Sequence, residues 1–410
     1  MDNKQEIITT IHDFGCHQDL AARLMELSEE TPTAVLIPAL YEELERPALA
    51  QIRSHLQQCP FVKTVVICLY AQTSEQYAKA VDFFQPLPQQ TAIVWENGAR
   101  VTQILEKLRE RGLDLLSLRG KGRAVWLGLG VASLEAKAIA LHDADITTYD
   151  RSYPLKLLFP LLEQELGIVF NKAYYARIGQ CPHTLNGRVM RLFVTPLLSA
   201  LTELLGYRPY LRYLNAFRYP LSGEFALKSD LALNIRIPGD WGLEIGLLAE
   251  VYRSVAEKRI AQIDLGIFDH KHQEIGNSNS EGLRKMCQDV LRSVLRTLTE
   301  TEQVVLTSEH IHAIRVKFRR QAQNYSRQYF IDARFNGLEY DRHQEEIIIE
   351  LFEQAMLEAS EQYFSNPAGT QIPDWARALA VMSDLREQLK EAAIADAAAS
   401  KALMLVHSES

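Results

Sequence analysis

The chain has 410 residues, 47% of them hydrophobic and 23% charged, with a formal net charge of −8. This is the balance of a globular protein with a sizeable core, enough for one large α/β domain with an accessory part or for two to three ordinary domains. The acidic balance argues against a nucleic-acid binder, while a few local Lys and Arg are enough to hold one phosphate.

Cys16, Cys59, Cys68, Cys181 and Cys287 are scattered and form no CxxC pair. A disulfide framework or structural zinc is not expected, and a reducing cytoplasm fits best. The opening stretch MDNKQEIITTIHDFG has neither the basic nor the apolar region of a signal peptide. No uncharged apolar run is long enough to cross a bilayer, so no membrane partner is expected.

In chain order, residues 1–30 read as amphipathic helical turns leading into the domain. TAVLIPAL (33–40) is a short buried strand, and the polar YEELERP after it opens a helix that LAQIRSHLQQC continues. FVKTVVICLY is a second strand, SEQYAKAVDFF a helix, QTAIVWEN a third strand and ARVTQILEKLRERGLDL a helix. RGKGRAVWLGLGVASL begins as a glycine loop and becomes a helix, and AKAIALHDAD is the fourth strand. This alternation predicts an α/β fold with a mostly parallel, doubly wound sheet.

LGIVFNKAYYARI holds a further strand or hairpin, and NGRVMRLFVTPLLSALTELLG a helix carrying a proline. FRYPLSGEFALKSDLALNI has turn chemistry at Pro220 and Gly223 followed by a helix. DWGLEIGLLAEVYRS is helical, and RIAQIDLGIFDHKHQ alternates as a strand running into a loop. From residue 281 to 410 the pattern is mostly helical, expected to pack on its own domain or on a dimer partner.

Ligands of open α/β sheets bind beyond the carboxyl ends of the strands, where PALYEE, GKGR, HDAD and FDHKH fall. In HDAD, Asp143 and Asp145 either converge on a hard cation such as Mg2+ or Mn2+ or cap the next helix and face solvent. Lys121 between two glycines before a helix suits a phosphate or nucleotide, although GKGR is not a P-loop, and a plain turn accounts for it equally. His270 and His272 are candidate ligands or solvated loop residues. Glu244, among apolar helix neighbours, needs a partner. Arg188 beside Gly187 is either an anion clamp or a surface salt bridge.

Taken in series, LIPALYEE, GKGRAVW, HDADI, NGRV, YPLSGEFA, DWGLEIGLL and QIDLGIFDHKH resemble the glucosyl-3-phosphoglycerate synthase family, retaining nucleotide-sugar glycosyltransferases of the GT-A fold. The resemblance covers roughly residues 30 to 275. It implies a lead-in over 1–30, a GT-A domain over 31–280 and a helical accessory or dimerisation extension over 281–410. It places Pro38, Ala39, Leu40 and Glu43 against the uridine and Lys121, Asp143 and Ala144 at the donor. Leu221, Ser222 and Gly223 would lie near the sugar, with Glu244 on its hydroxyls as a catalytic-site acid. A divalent Mg or Mn ion falls to Asp145 and His270, and the phosphoglycerate acceptor to Gly187, Arg188 and His272. The product would be a precursor of glucosylglycerate, a compatible solute or polysaccharide building block, made by a homodimer.

The chain departs from the mycobacterial-type pattern at several points. Tyr41 replaces an asparagine, Met190 a threonine, Phe268 an arginine and His272 an asparagine. These changes leave open glycerate or a polyol phosphate as acceptor, and ADP or GDP in place of UDP. A non-catalytic nucleotide-sugar sensor on the same fold is the reading from another class. A Rossmann oxidoreductase is excluded, because the turn after the first strand has no glycine.

Overall fold

A computed structural model describes residues 4–15, 20–118, 120–180, 182–239, 242–270, 277–369 and 371–408. The first half alternates strand and helix: β1 (Thr9–Ile11), α1 (Leu20–Glu30), β2 (Thr33–Leu40), α2 (Pro47–Leu56), β3 (Thr64–Tyr70), α3 (Ser74–Phe84), β4 (Gln90–Trp95), α4 (Ala99–Glu110), α5 (Lys121–Glu135), β5 (Ala138–Leu141) and α6 (Ser152–Leu162). Then come β6 (Phe170–Gln180), β7 (His183–Leu185), α7 (Thr195–Leu205), α8 (Pro209–Ala216), β8 (Phe225–Lys228), α9 (Ser229–Asn234), β9 (Ile237–Pro238), α10 (Leu243–Ser254) and β10 (Ile260–Phe268). The remainder is α11 (Asn277–Glu302), α12 (Ser308–Phe335), α13 (Arg342–Ser365), β11 (Gln371–Ile372), α14 (Trp375–Val381) and α15 (Leu385–Ser408).

The main sheet runs β1-β10-β6-β8-β5-β2-β3-β4, with β7 hairpinned onto β6. Strands β5, β2, β3 and β4 are parallel, as are β1, β10 and β6. Antiparallel β8 joins the two sets. The central strands are buried on both faces, with Val35, Leu36, Ile37, Val65, Val66, Ile139 and Leu141 fully enclosed. That is why they read as unbroken apolar runs rather than alternating ones.

Two expectations change. The lead-in is helical only over α1, and residues 9–11 instead add an edge strand beside β10. Phe225–Lys228 is the antiparallel linker strand, not part of a turn before a helix; at four residues it is too short to show a period. The longest helix, α12, has 28 residues and was not singled out from the sequence. Its buried stripe, Ile311, Ile314, Phe318, Ala322 and Ser326, is interrupted by small and polar residues.

The C-terminal part lies on the α/β body in two ways. Helices α11–α13 pack against α7 and α10. The last segment, β11 to α15, crosses back over β4, α3, α4 and α5. Trp375 stacks on Trp126 of α5 with ring centroids 3.9 Å apart, and its indole N–H donates to the Trp126 carbonyl at 3.0 Å.

Candidate active site

The site begins where β5 runs out. The His142 amide still donates to the Leu36 carbonyl at 3.0 Å, and then the chain leaves the sheet. The next residues are sewn to the end of β10: Ile146 bridges His270, the Thr147 amide donates to the Asp269 carbonyl at 3.0 Å, and the Asp269 amide donates to Thr148 Oγ1 at 3.1 Å. This stitching holds Asp145 Oδ2 4.0 Å from His270 Nδ1.

Asp143 turns to the other side. It accepts from Lys121 Nζ at 2.6 Å, and the same ammonium lies 3.4 Å from Glu244 Oε1. Lys121 is the first residue of α5 and Glu244 sits in the first turn of α10. Three sequence motifs therefore meet in one ion cluster. Gly223 closes over it, since a β-carbon there would lie 2.5 Å from Asp143 Oδ2 and 3.0 Å from Lys121 Nζ. Gly122 serves packing instead: a β-carbon would collide with the Pro238 carbonyl of β9.

Burial works against the Asp143 carboxylate, but the charge and hydrogen bond of Lys121, together with His270 and His142, outweigh it and hold the group below its ordinary range. Among the described residues no lysine or arginine forms an ion pair with Asp145. Burial, then the charges of Asp143 and Glu43, push its carboxyl up to about 6. A buried carboxyl with two further anions nearby is a place where a cation is favoured. The 4.0 Å between Asp145 and His270 is wider than the ~3.0 Å between adjacent ligands of an octahedral ion with bonds of about 2.1 Å, so a side-chain adjustment of about 1 Å lets the two share one ion. Among the described residues no third His, Cys, Asp or Glu completes a cluster. The pair thus fits an ion that keeps positions for water and phosphate oxygens, as Mg2+ does.

Behind the cluster lies a second buried layer. Lys172 donates to the Ser222 carbonyl at 2.7 Å, and burial lowers its ammonium to about 8. Glu224 is fully enclosed, with burial and the Asp143 charge raising it to about 8, and it accepts from Tyr175 Oη at 2.9 Å. Ser222, expected near the sugar, spends its hydroxyl on the Ala173 carbonyl at 2.7 Å. Leu221 beside it is half-buried, and Ala144 is buried between the two aspartates.

Pro38, Ala39 and Leu40 end β2, the strand next to β5, and Leu40 is 53% exposed there. Glu43 pairs with Arg46 at 2.6 Å and still acts on Asp145 through its charge. Gly187 and Arg188 follow β7 and lead into a π-helical turn, Val189–Val194, a form that concentrates at functional sites. Arg188 Nε donates to Glu345 Oε1 of α13 at 3.0 Å. His272 lies outside the described residues.

One site residue has no signal in the motifs. Arg177 on β6 pairs in register with Phe268 on β10. Its guanidinium lies over the Phe268 ring, 5.6 Å from the centroid, and contacts His270 Nε2. A β-carbon on Gly187 would sit 3.6 Å from its Cδ. Arg177 therefore stands between the acceptor-side loop and the Asp145–His270 pair. It brings a guanidinium to the neighbourhood where Phe268 takes the place of one. Only the strand register reveals this, and a single sequence does not show register.

No protein-family model matches the chain. The architecture is that of a solved glucosyl-3-phosphoglycerate synthase from Mycobacterium tuberculosis, in complex with Mn2+, UDP-glucose and phosphoglyceric acid. The TM-score is 0.51 and the identity 23%, over 70% of this chain and 87% of that one. The fold is GT-A, and the protein is a glycosyltransferase. Whole-length relatives are closer in sequence. The glucosyl-3-phosphoglycerate synthase of Methanococcoides burtonii is 48% identical over 397 residues, covering 97% of this chain and 98% of its own. That of Persephonella marina is 36% identical over 389 residues, covering 93% and 95%. The chain belongs to the glucosyl-3-phosphoglycerate synthase family.

Proposed function

We propose that the chain transfers glucose from UDP-glucose to 3-phosphoglycerate, with retention at the anomeric carbon and with Mg2+ or Mn2+ as cofactor. The observation that carries this reading is the convergence, at one end of the sheet, of the cation-short Asp145–His270 pair with the Lys121–Asp143–Glu244 cluster and Arg177. The family's name supports the reaction, and the ligands held by the mycobacterial structure support donor, metal and acceptor. The product is then the phosphorylated precursor of glucosylglycerate.

Asp145 and His270 would hold the ion, which when bound supplies Lewis-acid neutralisation of the leaving diphosphate. Asp143 and Lys121 face the nucleotide-sugar, and Pro38, Ala39, Leu40 and Glu43 border the uridine. Glu244, tethered by Lys121, accepts hydrogen bonds from sugar hydroxyls and fixes the ring. Arg177 and Arg188 hold the anionic groups of the acceptor, so that its hydroxyl is delivered at close range. The acceptor oxygen bonds to the anomeric carbon as the bond to the diphosphate oxygen breaks on the same face, and its proton passes to the departing phosphate.

The test is nucleotide release from UDP-, ADP- and GDP-glucose against 3-phosphoglycerate, glycerate and glycerol phosphate, with Mg2+ or Mn2+. The highest kcat/KM is expected for UDP-glucose with 3-phosphoglycerate, lost on chelation, with an α-linked product by NMR. A faster reaction with another pair, or no turnover with any, overturns the reading.

A further inference from the structure

The acceptor-side loop is held from outside the α/β body. The Glu339 amide, between α12 and α13, donates to the His183 carbonyl at 2.7 Å, and Glu339 bridges Thr184 of β7. Farther on, Arg191 gives its Nε to the Asn186 carbonyl at 2.8 Å and one terminal nitrogen to the Leu185 carbonyl at 3.0 Å. The other terminal nitrogen donates to Glu345 Oε2 at 3.0 Å. Tyr329 and Tyr340 lie 5.0 and 5.6 Å from its guanidinium carbon. Arg191 is thus committed to structure on every edge.

Arg188 differs. Its Nε donates to Glu345 Oε1, its side chain is 28% exposed, and its two terminal nitrogens donate to nothing among the described residues. Glu345 is 2% exposed and serves both arginines at once. A carboxylate so buried is tolerated only because two guanidiniums surround it. The triad keeps one net positive charge, and that charge is on the arginine that reaches the surface. The backbone at Gly187 has φ +77 and Val189–Val194 form the π-helical turn, so the loop gets little orientation from a regular ladder of its own.

The geometry points to Glu345 as a positioning residue for the acceptor: it grips Arg188 by its Nε edge and presents the two terminal nitrogens to the acceptor's phosphate or carboxylate. The helical extension thereby sets acceptor affinity in a site whose donor half it does not touch through this triad. This rests on the reading of the acceptor as a small anion held by Arg188.

The test is the KM for 3-phosphoglycerate and for UDP-glucose, measured separately in the wild type, Glu345→Gln, Arg188→Ala and the double variant, with melting temperatures alongside. Freezing one long side chain anew at each binding event weakens affinity by about 5- to 10-fold. Glu345→Gln is therefore expected to raise the acceptor KM by about that factor, with the donor KM and kcat within about twofold. The effect should vanish in the Arg188→Ala background. If Glu345→Gln does not fold, Glu345→Asp keeps the charge, withdraws the grip and is read the same way. An acceptor KM unchanged by the substitution, or an equal rise in the Arg188→Ala background, overturns the inference. If the wild type does not glucosylate 3-phosphoglycerate, the functional reading fails, and this inference with it; failure of the inference alone requires a working wild type.

Discussion

The proposed donor half and the proposed acceptor half of the cleft are built on different plans. On the donor side, Lys121, Asp143 and Glu244 come from α5, the end of β5 and α10, and they pair with one another inside the α/β body. On the acceptor side, Arg188 and Arg191 find their anion on α13, more than 150 positions along the chain. The donor half is a self-contained consequence of the sheet's carboxyl ends. The acceptor half adds to Arg177 of β6 an arginine held by a segment that follows the sheet. On the proposed reading, binding the nucleotide-sugar and choosing what receives the sugar fall to different parts of the chain.

The strongest way to break the donor half is to remove Asp145 or His270. Alanine at either should lower kcat by at least about 100-fold and abolish calorimetric binding of Mn2+ with UDP. A variant that keeps its rate in chelator would remove the pair from the metal site. Next in size is Trp375→Ala, which takes away a fully enclosed indole stacked on Trp126. The expected loss is about 3–5 kcal/mol of unfolding free energy, read by denaturant melts with ligand affinities unchanged in the folded fraction.

Arg188→Ala should raise the acceptor KM by about tenfold while the donor KM stays near wild type, sharpening the division between the halves. Equal effects on both substrates would erase it. The smallest effect is a pH dependence. The Glu224 carboxyl, pushed by burial up to about 8, is folded in its neutral form. Its contribution to stability is complete at acid pH, below the ordinary carboxylate value, and is lost as pH rises through about 8. Glu224→Gln still accepts from Tyr175 and cannot ionise. Its melting temperature should match the wild type near about pH 5 and exceed it near about pH 9.

The same division explains what the sequence reveals. Strands β2, β3, β4 and β5 are legible because both their faces are buried, and the motifs GKGR, HDAD and DWGLEIGLL are legible because strand and helix ends must carry polar groups. HDAD seemed open to a capping explanation. The structure gives Asp143 to Lys121 and leaves Asp145 facing His270. The antiparallel strand β8 is hidden because its residues are buried on both faces over only four positions. Arg177 is hidden because its role depends on lying beside Phe268 across a strand pair. Glu345 is hidden in the run EEIIIE, where nothing marks one glutamate as buried and its neighbours as solvated.

The stacked pair Trp126–Trp375 has a consequence for how the molecule comes into being. Helix α5 is apolar all round, and its outer face is covered by residues some 249 positions later, with Gly130 leaving room for the Trp375 ring. On the ribosome, the α/β body must therefore wait with that face uncovered until Trp375 has emerged. A nascent chain stopped before Trp375 would carry every strand of the main sheet and still display a sticky helix. Translation and folding are thereby coupled across some 249 positions, and holdase chaperones should favour a chain stopped before Trp375 over one that includes it.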